Sequence, residues 1–357
     1  MKKLEDIVKN ISSGKSKNST SQGKYPFFGS TGVISYSNQS DYSGDKILIA
    51  RVGANAGFIY KVKGSYAVSD NTLIVDIKNE KVLDFIFYYL SKFNLNKLIF
   101  GSGQPLITGG QLKSIRITLP SIEEQNKIST FFPLIDNRIQ TQKKIIEKLE
   151  TLMNTSREKI FSQKLRFKDE HGNYFPKWKL NKLGNLGMFF SGGTPLTSNR
   201  KYYQGNIPFI KSGEINSVET EQFISEDALK NSSAKMVNVG DILYALYGAT
   251  SGEAGISKLN GAINQAILCI RTELDNLFLL NYLKFKKQNI LSTYLQGGQG
   301  NLSSEIIKSL LIPIPDSNEQ VKIANFLSSI QEKIETEKQI LEKLELQKKF
   351  LLSNLFI

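Results

Sequence analysis

The segment ITLPSIEEQNKI at residues 117–128 returns as IPIPDSNEQVKI at residues 312–323, and this repetition decides the organisation of the chain. A second segment obeys the same offset of 195 residues, because IIEKLETL at 145–152 returns as ILEKLELQ at 340–347. A fixed offset held by separate segments is the signature of an internal repeat. The sequence therefore predicts two copies of one structural unit.

The frame of the repeat extends into the glycine-rich parts of the chain, where Gly53 pairs with Gly248 at the same offset. It changes only near the start of each copy, where Leu4 matches Leu183 at an offset of 179. The second copy therefore carries 16 more residues in its front portion. Two copies that share a repeat frame and differ in their front portions are expected to have the same function on different targets.

Each copy reads as a β-rich globular part followed by one long helix. Apolar runs around glycine turns indicate strands, whereas longer stretches with apolar residues three and four apart indicate helices. In the first copy the predicted segments are strands within 47–62 and 71–77, a helix at 80–93 and a glycine loop at 101–110. In the second copy the matching segments are 241–248, 266–272, 277–285 and 296–304.

After Pro120 and after Pro315 the sequence changes to a heptad pattern, which is typical of long helices that pack on a partner helix. Each helix would run for roughly 35 to 40 residues, or about 55 to 60 Å. Pro133 is expected to kink the first helix near its start. The residues predicted to pair the helices are Ile128, Ile135, Gln142, Ile145, Leu149 and Leu152 in the first helix and Ile323, Ile330, Glu337, Ile340 and Leu344 in the second.

Matched polar positions favour pairing of these two helices with each other. Gln142 and Glu337 occupy the same place in the two stripes, and a buried polar residue commonly fixes the register of a coiled coil. Heptads alone would also fit a coiled coil that only dimerises the protein. An antiparallel pair within the chain is favoured, because each helix starts at its own globular part and the chain must return to begin the second one.

The predicted fold class is therefore α+β, with two tandem β-rich domains that are each followed by a long α-helix. The two helices are expected to pair as an antiparallel coiled coil in a pseudo-two-fold internal repeat. The predicted boundaries are 1–121 for the first domain, 122–163 for the first helix, 164–178 for a connector, 179–316 for the second domain and 317–357 for the second helix. The connector is rich in aromatic residues, which predicts a docked segment instead of a flexible linker.

The charge balance points to a polyanionic partner. Lysine and arginine number 46 against 33 aspartate and glutamate residues, a net charge of +13. Such an excess is typical of phosphate binding, although a biased genome composition could also produce it. The chain shows no signal sequence and no apolar run long enough to span a membrane. We expect a cytoplasmic protein without membrane contact.

Catalytic signatures are missing from the sequence. Gly14-Lys15-Ser16 lacks the earlier glycine of a phosphate-binding loop, since Lys9 stands at its place. His171 and Cys269 are the single histidine and cysteine, which excludes histidine triads, a disulfide framework and thiolate zinc sites within one chain. We expect no catalytic residue and no metal site, and Cys269 is expected to be a small buried hydrophobic residue.

Polar and basic loop residues supply chemistry suited to reading DNA. Lysine and arginine neutralise phosphates, while arginine, asparagine and glutamine can make bidentate contacts to base edges. The candidates in the first copy are Lys15, Lys17, Lys24, Arg51, Asn55, Lys97 and Gln104. In the second copy they are Arg200, Lys201, Tyr202, Lys211, Thr250, Ser251, Lys258, Gln299 and Asn301. Any one of them alone would be ordinary surface; as a set on two duplicated domains they favour DNA recognition.

Two motifs carry a resemblance to a known family. Residues 165–195, with Arg166-Phe167 and Trp178, resemble the central region of type I restriction-modification specificity subunits. Both helix openings resemble those of the same family, at Pro120, Glu124, Gln125, Lys127 and Ile128 and again at Pro315, Glu319, Gln320, Lys322 and Ile323. The chain departs from the family pattern in that no tryptophan like Trp178 stands ahead of Leu4.

This resemblance implies that each β-rich domain is a target-recognition domain for one half of a split, asymmetric double-stranded DNA site, with the helices as the ruler between the halves. It also implies docking of two methyltransferase (modification) subunits and assembly with restriction subunits. S-adenosylmethionine, ATP and magnesium are expected on those partner subunits, with no cofactor in this chain. Two alternatives stay open: the recognition part of a fused restriction-modification enzyme, and a coiled-coil scaffold with no DNA role.

Overall fold

A computed structural model of the chain describes residues 1–17, 19–99, 105–294 and 301–356. The chain divides into two compact units. The first unit combines Met1–Lys144 with Lys338–Ile357, and the second is Ile145–Glu337. The final part of the chain thus belongs to the same compact unit as its beginning.

The first copy is a β-rich part built on two four-stranded sheets, of order β2-β9-β6-β7 and β4-β3-β8-β5, with a small pair β1-β10 beside them. Its strands are β1 (Lys2–Lys3), β2 (Val8–Ser13), β3 (Tyr25–Gly29), β4 (Gly32–Ser37), β5 (Tyr42–Ser43), β6 (Lys46–Ala50), β7 (Ile59–Val62), β8 (Ser65–Val68), β9 (Thr72–Ile77) and β10 (Arg116–Ile117). Its helices are α1 (Leu4–Ile7), α2 (Leu83–Lys92), α3 (Gly109–Lys113) and the long α4 (Ile122–Phe161).

The second copy repeats this topology, with sheets of order β12-β19-β16-β17 and β14-β13-β18-β15 and the pair β11-β20. Its strands are β11 (Lys179–Lys182), β12 (Gly187–Ser191), β13 (Ile207–Ile210), β14 (Phe223–Ile224), β15 (Lys235–Val237), β16 (Ile242–Ala245), β17 (Ala254–Ile256), β18 (Gly261–Ile263), β19 (Ile267–Thr272) and β20 (Leu311–Ile314). Its helices are α5 (Glu226–Lys230), α6 (Asn276–Tyr294), α7 (Ser304–Ser309) and the long α8 (Ser317–Leu355). The predicted α+β repeat is confirmed.

The sheet of order β2-β9-β6-β7 is buried on both faces, because successive residues of a strand point to opposite sides. On one side, Ile47 and Ile49 of β6 join the cluster that contains Ile86 of α2. On the other side, Leu48 packs with Tyr66 of the second sheet. Burial on both faces explains why β6 reads as an unbroken apolar run instead of an alternating one.

The same layering recurs in the second copy. Tyr244 of β16 faces the cluster of α6 residues around Phe278, whereas Leu243 faces Ile263 of the second sheet. Cys269 also lies in that second cluster and is fully buried. The cysteine is thus a core residue, as its apolar sequence context predicts. Two sheets and a helical layer hold each globular part together.

The two copies differ in the outer sheet. In the first copy, β3 turns tightly into β4 between Gly29 and Gly32, and Gly32 takes a positive φ of 118° that favours glycine. In the second copy, residues 211–222 connect β13 to β14, and α5 follows. Most of the extra length of the second copy therefore lies in this outer sheet, while the central sheets keep their frame.

Helices α4 and α8 each bury one heptad stripe. Helix α4 is continuous through Pro133. Its stripe contains the buried residues Gln125, Phe132, Ile139, Gln142, Ile146, Met153, Ser156 and Ile160, with Ile128, Ile135 and Leu149 partly buried between them. The stripe of α8 contains the buried residues Gln320, Ile323, Leu327, Ile330, Ile334, Glu337 and Leu344, with Leu341, Lys348 and Leu351 partly buried. The steps alternate between three and four residues, which is the spacing of a packed helix face.

Three predicted pairing residues, Ile145, Leu152 and Ile340, lie outside the two stripes. Ile145 and Leu152 are 37% and 49% exposed, whereas their neighbours Ile146 and Met153 are 7% and 3% exposed. In α4 these predictions fall one residue before the buried positions, because the stripe steps by four residues from Gln142 to Ile146 and from Leu149 to Met153. The other predicted pairing residues, Ile128, Ile135, Gln142, Leu149, Ile323, Ile330, Glu337 and Leu344, lie in the stripes, and Ile340 is half-buried beside one.

The two helices run antiparallel where they meet in the first unit. Asp136 of α4 pairs with Lys348 of α8 at 2.5 Å, and Lys143 of α4 pairs with Glu345 of α8 at 2.8 Å. The residue number in α8 falls as the number in α4 rises, which defines the opposite direction of the two chains. The expected antiparallel pairing is therefore confirmed in this unit.

In the second unit, the later part of α4 and the early part of α8 share one core with the second copy. Met153 and Ile160 belong to the same buried cluster as Ile323, Ile330 and the α6 residues. The connector folds into a short loop with a β-bridge between Lys168 and Tyr174. None of the helices in the described residues is both long and apolar enough to cross a membrane.

The corrected register predicts unequal costs for two neighbouring isoleucines. Replacing Ile146 by alanine should lower the free energy of unfolding by about 2 to 4 kcal/mol, because it opens a cavity in a buried stripe. Replacing Ile145 should cost less than about 1 kcal/mol, because its side chain is partly exposed and lies outside the buried stripe. Urea unfolding of the two variants measures the difference. Equal destabilisation, or a larger loss for Ile145→Ala, would show that the register is wrong.

Candidate nucleic-acid interface

Several candidate residues of the first copy lie at one end of its sheets, the end where residues 69–72 turn from β8 into β9. We call this end the loop end of the first copy. Strand β6 finishes here, because Ala50 pairs with Thr72, and Arg51 N donates to Asn71 O at 2.9 Å. Strand β2 finishes here as well, since Gly14 N donates to Thr72 O at 2.9 Å.

The loop that carries Lys15 and Lys17 is held by its backbone. Ser16 N donates to Val68 O at 3.0 Å, and the Ser16 hydroxyl accepts from Val68 N at 3.0 Å. Lys15 N donates to the Tyr42 hydroxyl at 2.9 Å. Both lysine side chains are exposed. The fixed backbone presents two ammonium groups to solvent without using them internally, which suits contact with phosphates.

Gly14 must be glycine at the base of this loop. A Cβ atom there would lie 2.3 Å from the carbonyl oxygens of Val68 and Ser69. The close approach brings the loop directly against the end of β8. It places Lys15 and Lys17 beside the turn at residues 69–72, which also contains the exposed acidic Asp70.

Arg51 and the glycine loop after it form the second part of the loop end. Arg51 is half-buried, and its Nε is a buried donor without a hydrogen-bond partner in the described structure. Gly53 and Gly57 bracket the loop with positive φ angles of 78° and 91°, a conformation that favours glycine. Asn55 is exposed between them. A half-buried guanidinium beside an exposed amide can offer donors to a bound nucleic acid.

Lys97 joins this surface through the segment after α2. The backbone around Gly57 closely approaches Asn96, since a Cβ at Gly57 would lie 2.6 Å from its Oδ1. Lys97 is exposed on the short turn that contains Asn96. The structure therefore brings Lys15, Lys17, Arg51, Asn55 and Lys97 to one end of the first globular part.

The second copy has the equivalent loop end, where residues 264–266 turn from β18 into β19. Strand β16 finishes there, because Ala245 pairs with Ile267. The loop after β12 is anchored there too, since Gly192 N donates to Asn264 O at 3.2 Å and Thr194 Oγ1 donates to Gln265 Oε1 at 2.7 Å. The front loops of the two copies thus leave the same place in the same topology.

A groove of about 500 Å³ opens at this loop end. It brings together Arg200 and Lys211, two candidates from separate segments of the sequence. Its other lining residues are Thr194, Thr197, Tyr203, Gln204, Phe209, Gln222 and Asn264. The groove presents two positive side chains beside amide and hydroxyl groups, which is a combination suited to phosphates and base edges.

Local contacts fix the floor of the groove. The Tyr203 hydroxyl donates to Pro195 O at 2.7 Å, and the Tyr203 ring packs edge to face on Phe209. Glu214 accepts from Lys211 N at 2.9 Å. Burial raises the pKa of Glu214, but hydrogen bonds from Glu221 N, Lys211 N and the Thr220 hydroxyl outweigh it and hold the pKa below its usual value. Glu214 therefore stays ionised and ties down the backbone that carries Lys211.

Three more candidates of the second copy lie near the same end. Thr250 and Ser251 are in the glycine loop after β16, where Gly248 and Gly252 have positive φ angles like their first-copy counterparts. The Ser251 hydroxyl donates to Leu246 O at 3.1 Å, so it stabilises the loop. Leu302 N also donates to Leu246 O, which places the exposed Asn301 beside the loop.

Other candidates lie elsewhere. Lys24 precedes β3 and Lys258 lies between β17 and β18, so each is at the end of its sheets opposite the loop end. Strand pairing decides this, because a residue before a strand and a residue after it are a strand length apart. Tyr202 packs beside the small cluster around Ala228, while Lys201 is exposed next to it. Gln104 and Gln299 lie outside the described residues.

Five polar residues of the groove are not among the sequence candidates, namely Thr194, Thr197, Gln204, Gln222 and Asn264. They belong to four separate segments, and only Thr194 stands within a motif, residues 165–195, where nothing singled it out. Their residue types were the only available signal, and many other surface amides share it. The topology of the outer sheet is what brings them together.

The described residues offer little for bond-making chemistry. They contain no group of three or more histidine, cysteine, aspartate or glutamate side chains placed to hold a metal ion. Burial raises the pKa of the Cys269 thiol to about 12, with a smaller contribution from nearby Asp241. Such a thiol is protonated at neutral pH and is a poor nucleophile.

Comparisons with known proteins agree with this organisation. The family model described as the type I restriction modification DNA specificity domain matches residues 1–151 and again residues 176–346. A putative type I restriction enzyme MjaX specificity subunit of Methanocaldococcus jannaschii is 28% identical over 311 residues, covering 82% of this chain and 72% of the relative. The MjaVIII specificity subunit of the same organism is 29% identical over 336 residues, covering 85% of this chain and 76% of the relative.

A solved structure shares the fold. The crystal structure of a type I restriction-modification system S subunit from M. genitalium superposes with a TM-score of 0.70 at 17% identity, covering all of this chain and 95% of that one. The likeness extends over both copies and both long helices.

The two loop ends predict which basic residues affect DNA binding. Arg200→Ala or Lys211→Ala should weaken binding of a short fluorescent duplex to the purified chain, and each should reduce the slope of log affinity against log salt by about one. Lys258→Ala is the matched control at the opposite end and should leave the slope unchanged. Fluorescence anisotropy over a salt series measures this. An effect of Lys258→Ala equal to that of Arg200→Ala would contradict the placement of the interface.

Proposed function

This chain belongs to the type I restriction-modification DNA specificity family, and we propose that its two globular parts read the two halves of a bipartite, asymmetric DNA site. Proteins of this family are DNA-recognition components and leave catalysis to other subunits. The observation that carries the proposal is the duplication of one topology with different outer sheets. Each loop end carries basic and amide side chains, and the two sets differ in identity.

The proposed specificity resides in the outer sheets and their loops. The central sheets of the two copies keep their strand order and frame, so they supply a common scaffold. The outer sheets differ in length and in the loops at residues 14–24 and 192–206. Base edges are distinguished by the pattern of donors and acceptors that a loop presents, so two different loop sets would read two different sequences.

The helices are proposed to fix the spacer between the half-sites. A helix is stiff, and its length is set by its residue number at 1.5 Å per residue. At 40 and 39 residues, α4 and α8 have nearly the same length. A fixed separation of two reading domains would demand a fixed number of base pairs between the half-sites.

We further propose that the helices dock two methyltransferase subunits, with restriction subunits joining the same complex. The exposed apolar residues that α4 and α8 keep outside their buried stripes support this, because two apolar faces on one helix allow two packing partners. S-adenosylmethionine, ATP and magnesium would be held by those subunits. Such a complex would work in the cytoplasm, where the chromosomal DNA is.

Exchange of one front portion tests the two-reader proposal. Replacing residues 1–100 by those of a related specificity subunit should change one half of the methylated sequence and leave the other half and the spacer intact. Methylation mapping of a host that carries the hybrid with its methyltransferase subunits gives the answer. Alteration of both halves would contradict independent reading by the two copies.

A pair of leucines in α8 tests the role of the helices in assembly. Leu344 is 9% exposed in the buried stripe, whereas Leu346 is 57% exposed. Leu344→Asp should abolish co-purification with the methyltransferase subunit, because a charge in the stripe disrupts helix pairing and with it the docking surface. The globular parts should stay folded by circular dichroism.

Leu346→Asp is the companion variant. It should keep the helices paired, because Leu346 lies outside the buried stripe. Comparison of the two variants therefore distinguishes a role of the buried stripe from a role of the exposed face of α8. If Leu346→Asp alone lost co-purification, methyltransferase docking would lie on the exposed face of α8 and would not depend on the buried stripe. Unchanged co-purification of Leu344→Asp would refute the dependence on helix pairing.

A further inference from the structure

The hairpin of β3 and β4 in the first copy presents two neighbouring apolar side chains to solvent. Phe28 pairs with Val33 and Phe27 pairs with Ser35, so Ile34 is an extra residue in a β-bulge. Val33 is 52% exposed and Ile34 is 57% exposed. Neighbouring residues of a regular strand point to opposite faces, and a bulge re-aims a side chain. The bulge explains why both side chains are open to solvent.

The backbone beneath these side chains is held in place. Ile34 lies against Gly29, where a Cβ atom would be 2.7 Å from Ile34 Cδ1. The Tyr60 hydroxyl donates to Gly29 O, and the Tyr60 ring packs 5.9 Å from that of Phe28. Tyr60 also packs on Phe58, which is itself 49% exposed. The hairpin therefore offers a fixed apolar surface, which Phe58 extends.

The hairpin lies at the loop end of the first copy, beside the basic loop. Phe28 pairs with Val68 on one edge of β8, and Ser16 is hydrogen-bonded to Val68 on the other edge. Two strand spacings, about 10 Å, thus separate the hairpin from the loop that carries Lys15 and Lys17. Apolar side chains scattered singly over a surface are ordinary. These two are adjacent to each other and lie beside exposed ammonium groups.

The second copy has a different residue at the equivalent place. Its β13 and β18 pair through Ile210 and Ile263, the counterparts of the strand pair β3 and β8. The next residue is Lys211, where the first copy has Gly29 covered by Ile34. The same corner of the outer sheet is therefore apolar in one copy and charged in the other. Such a difference suits two readers of different bases.

We propose that Val33 and Ile34 contact thymine methyl groups in the major groove of the half-site that the first copy reads. This inference rests on the proposed function and names the base chemistry of one reader. The major groove is about 12 Å wide and exposes the C5 methyl group of thymine, whereas the minor groove presents only polar groups. Lys15 and Lys17 lie at a distance that suits the phosphates beside that groove.

Replacement of thymine by deoxyuridine removes only this methyl group, so it tests the contact from the DNA side. Methylation mapping gives the motif, and the exchange of residues 1–100 identifies the half that the first copy reads. In that half, deoxyuridine at one or more thymine positions should weaken binding by the chain with its methyltransferase subunits. The expected loss is about fourfold per position, the value of one buried methyl group. Competition monitored by fluorescence anisotropy measures it.

Val33→Ser and Ile34→Ser remove the contact from the protein side. Each should weaken binding of the thymine duplex by a similar factor. At one sensitive position or more, the variant should bind the thymine and deoxyuridine duplexes equally, because both changes remove the same contact. Val239→Ser is the matched control, since Val239 is 59% exposed and lies between β15 and β16, opposite the loop end. It should keep the full preference for thymine.

A cooperative thermal transition shows that each variant is folded. A half-site without an A·T pair would overturn the inference, as would a preference for thymine that Val33→Ser and Ile34→Ser both retain. Insensitivity to deoxyuridine with weaker binding by Val33→Ser would place the hairpin on another part of the duplex, which also overturns it. In each of these cases a bipartite motif with a constant spacer still supports two readers. A map without such a motif would refute the proposed function, and the inference with it.

Discussion

Burial of one heptad stripe along each long helix is the constraint on which the rest of the structure depends. The stripe of α4 and that of α8 repeat the same steps of three and four residues, with the polar Gln142 and Glu337 at matched positions. In the first unit, ion pairs between α4 and the end of α8 fix an antiparallel direction. The chain can then begin and finish in the same compact unit. The helices are therefore structural elements of both units as well as links between the two copies.

Each globular part separates its scaffold from its variable surface. The central sheet is buried on both faces, against helices on one side and the outer sheet on the other, so its residues are restricted by packing. The outer sheet and its loops are free to change in length, as the additional α5 of the second copy shows. The two loop ends lie at equivalent strand ends in the two copies, outside the packed sheets. Substitutions there can therefore alter recognition without disturbing the core. This is the arrangement that a family of DNA readers with different targets requires.

The sequence predicted the architecture well because the duplication doubled every signal. The strand segments, the helix segments and the heptads each appear twice in the sequence. The connector appears once, and its aromatic composition predicted that it is docked. Eight of the eleven predicted pairing residues lie in the stripes, but Ile145, Leu152 and Ile340 each stand one residue before the stripe position, because two adjacent apolar residues fit either register locally. The apolar Ile139 was the available signal for the register that the structure adopts. The positions of Lys24 and Lys258 relative to the other candidates could not be predicted, because only the strand pairing shows at which end of a sheet a loop emerges. The groove around Arg200 and Lys211 likewise depends on the topology of the outer sheet.

The measurement that tests the central claim most directly is long-read methylation mapping of a host that carries this chain with its methyltransferase subunits. If two domains read separate half-sites across helices of fixed length, the map should show a single bipartite, asymmetric motif with a constant spacer. The motif should be methylated on both strands. The motif should disappear when this chain is deleted while the methyltransferase subunits remain. A contiguous motif, a variable spacer, or methylation that persists without the chain would contradict the account.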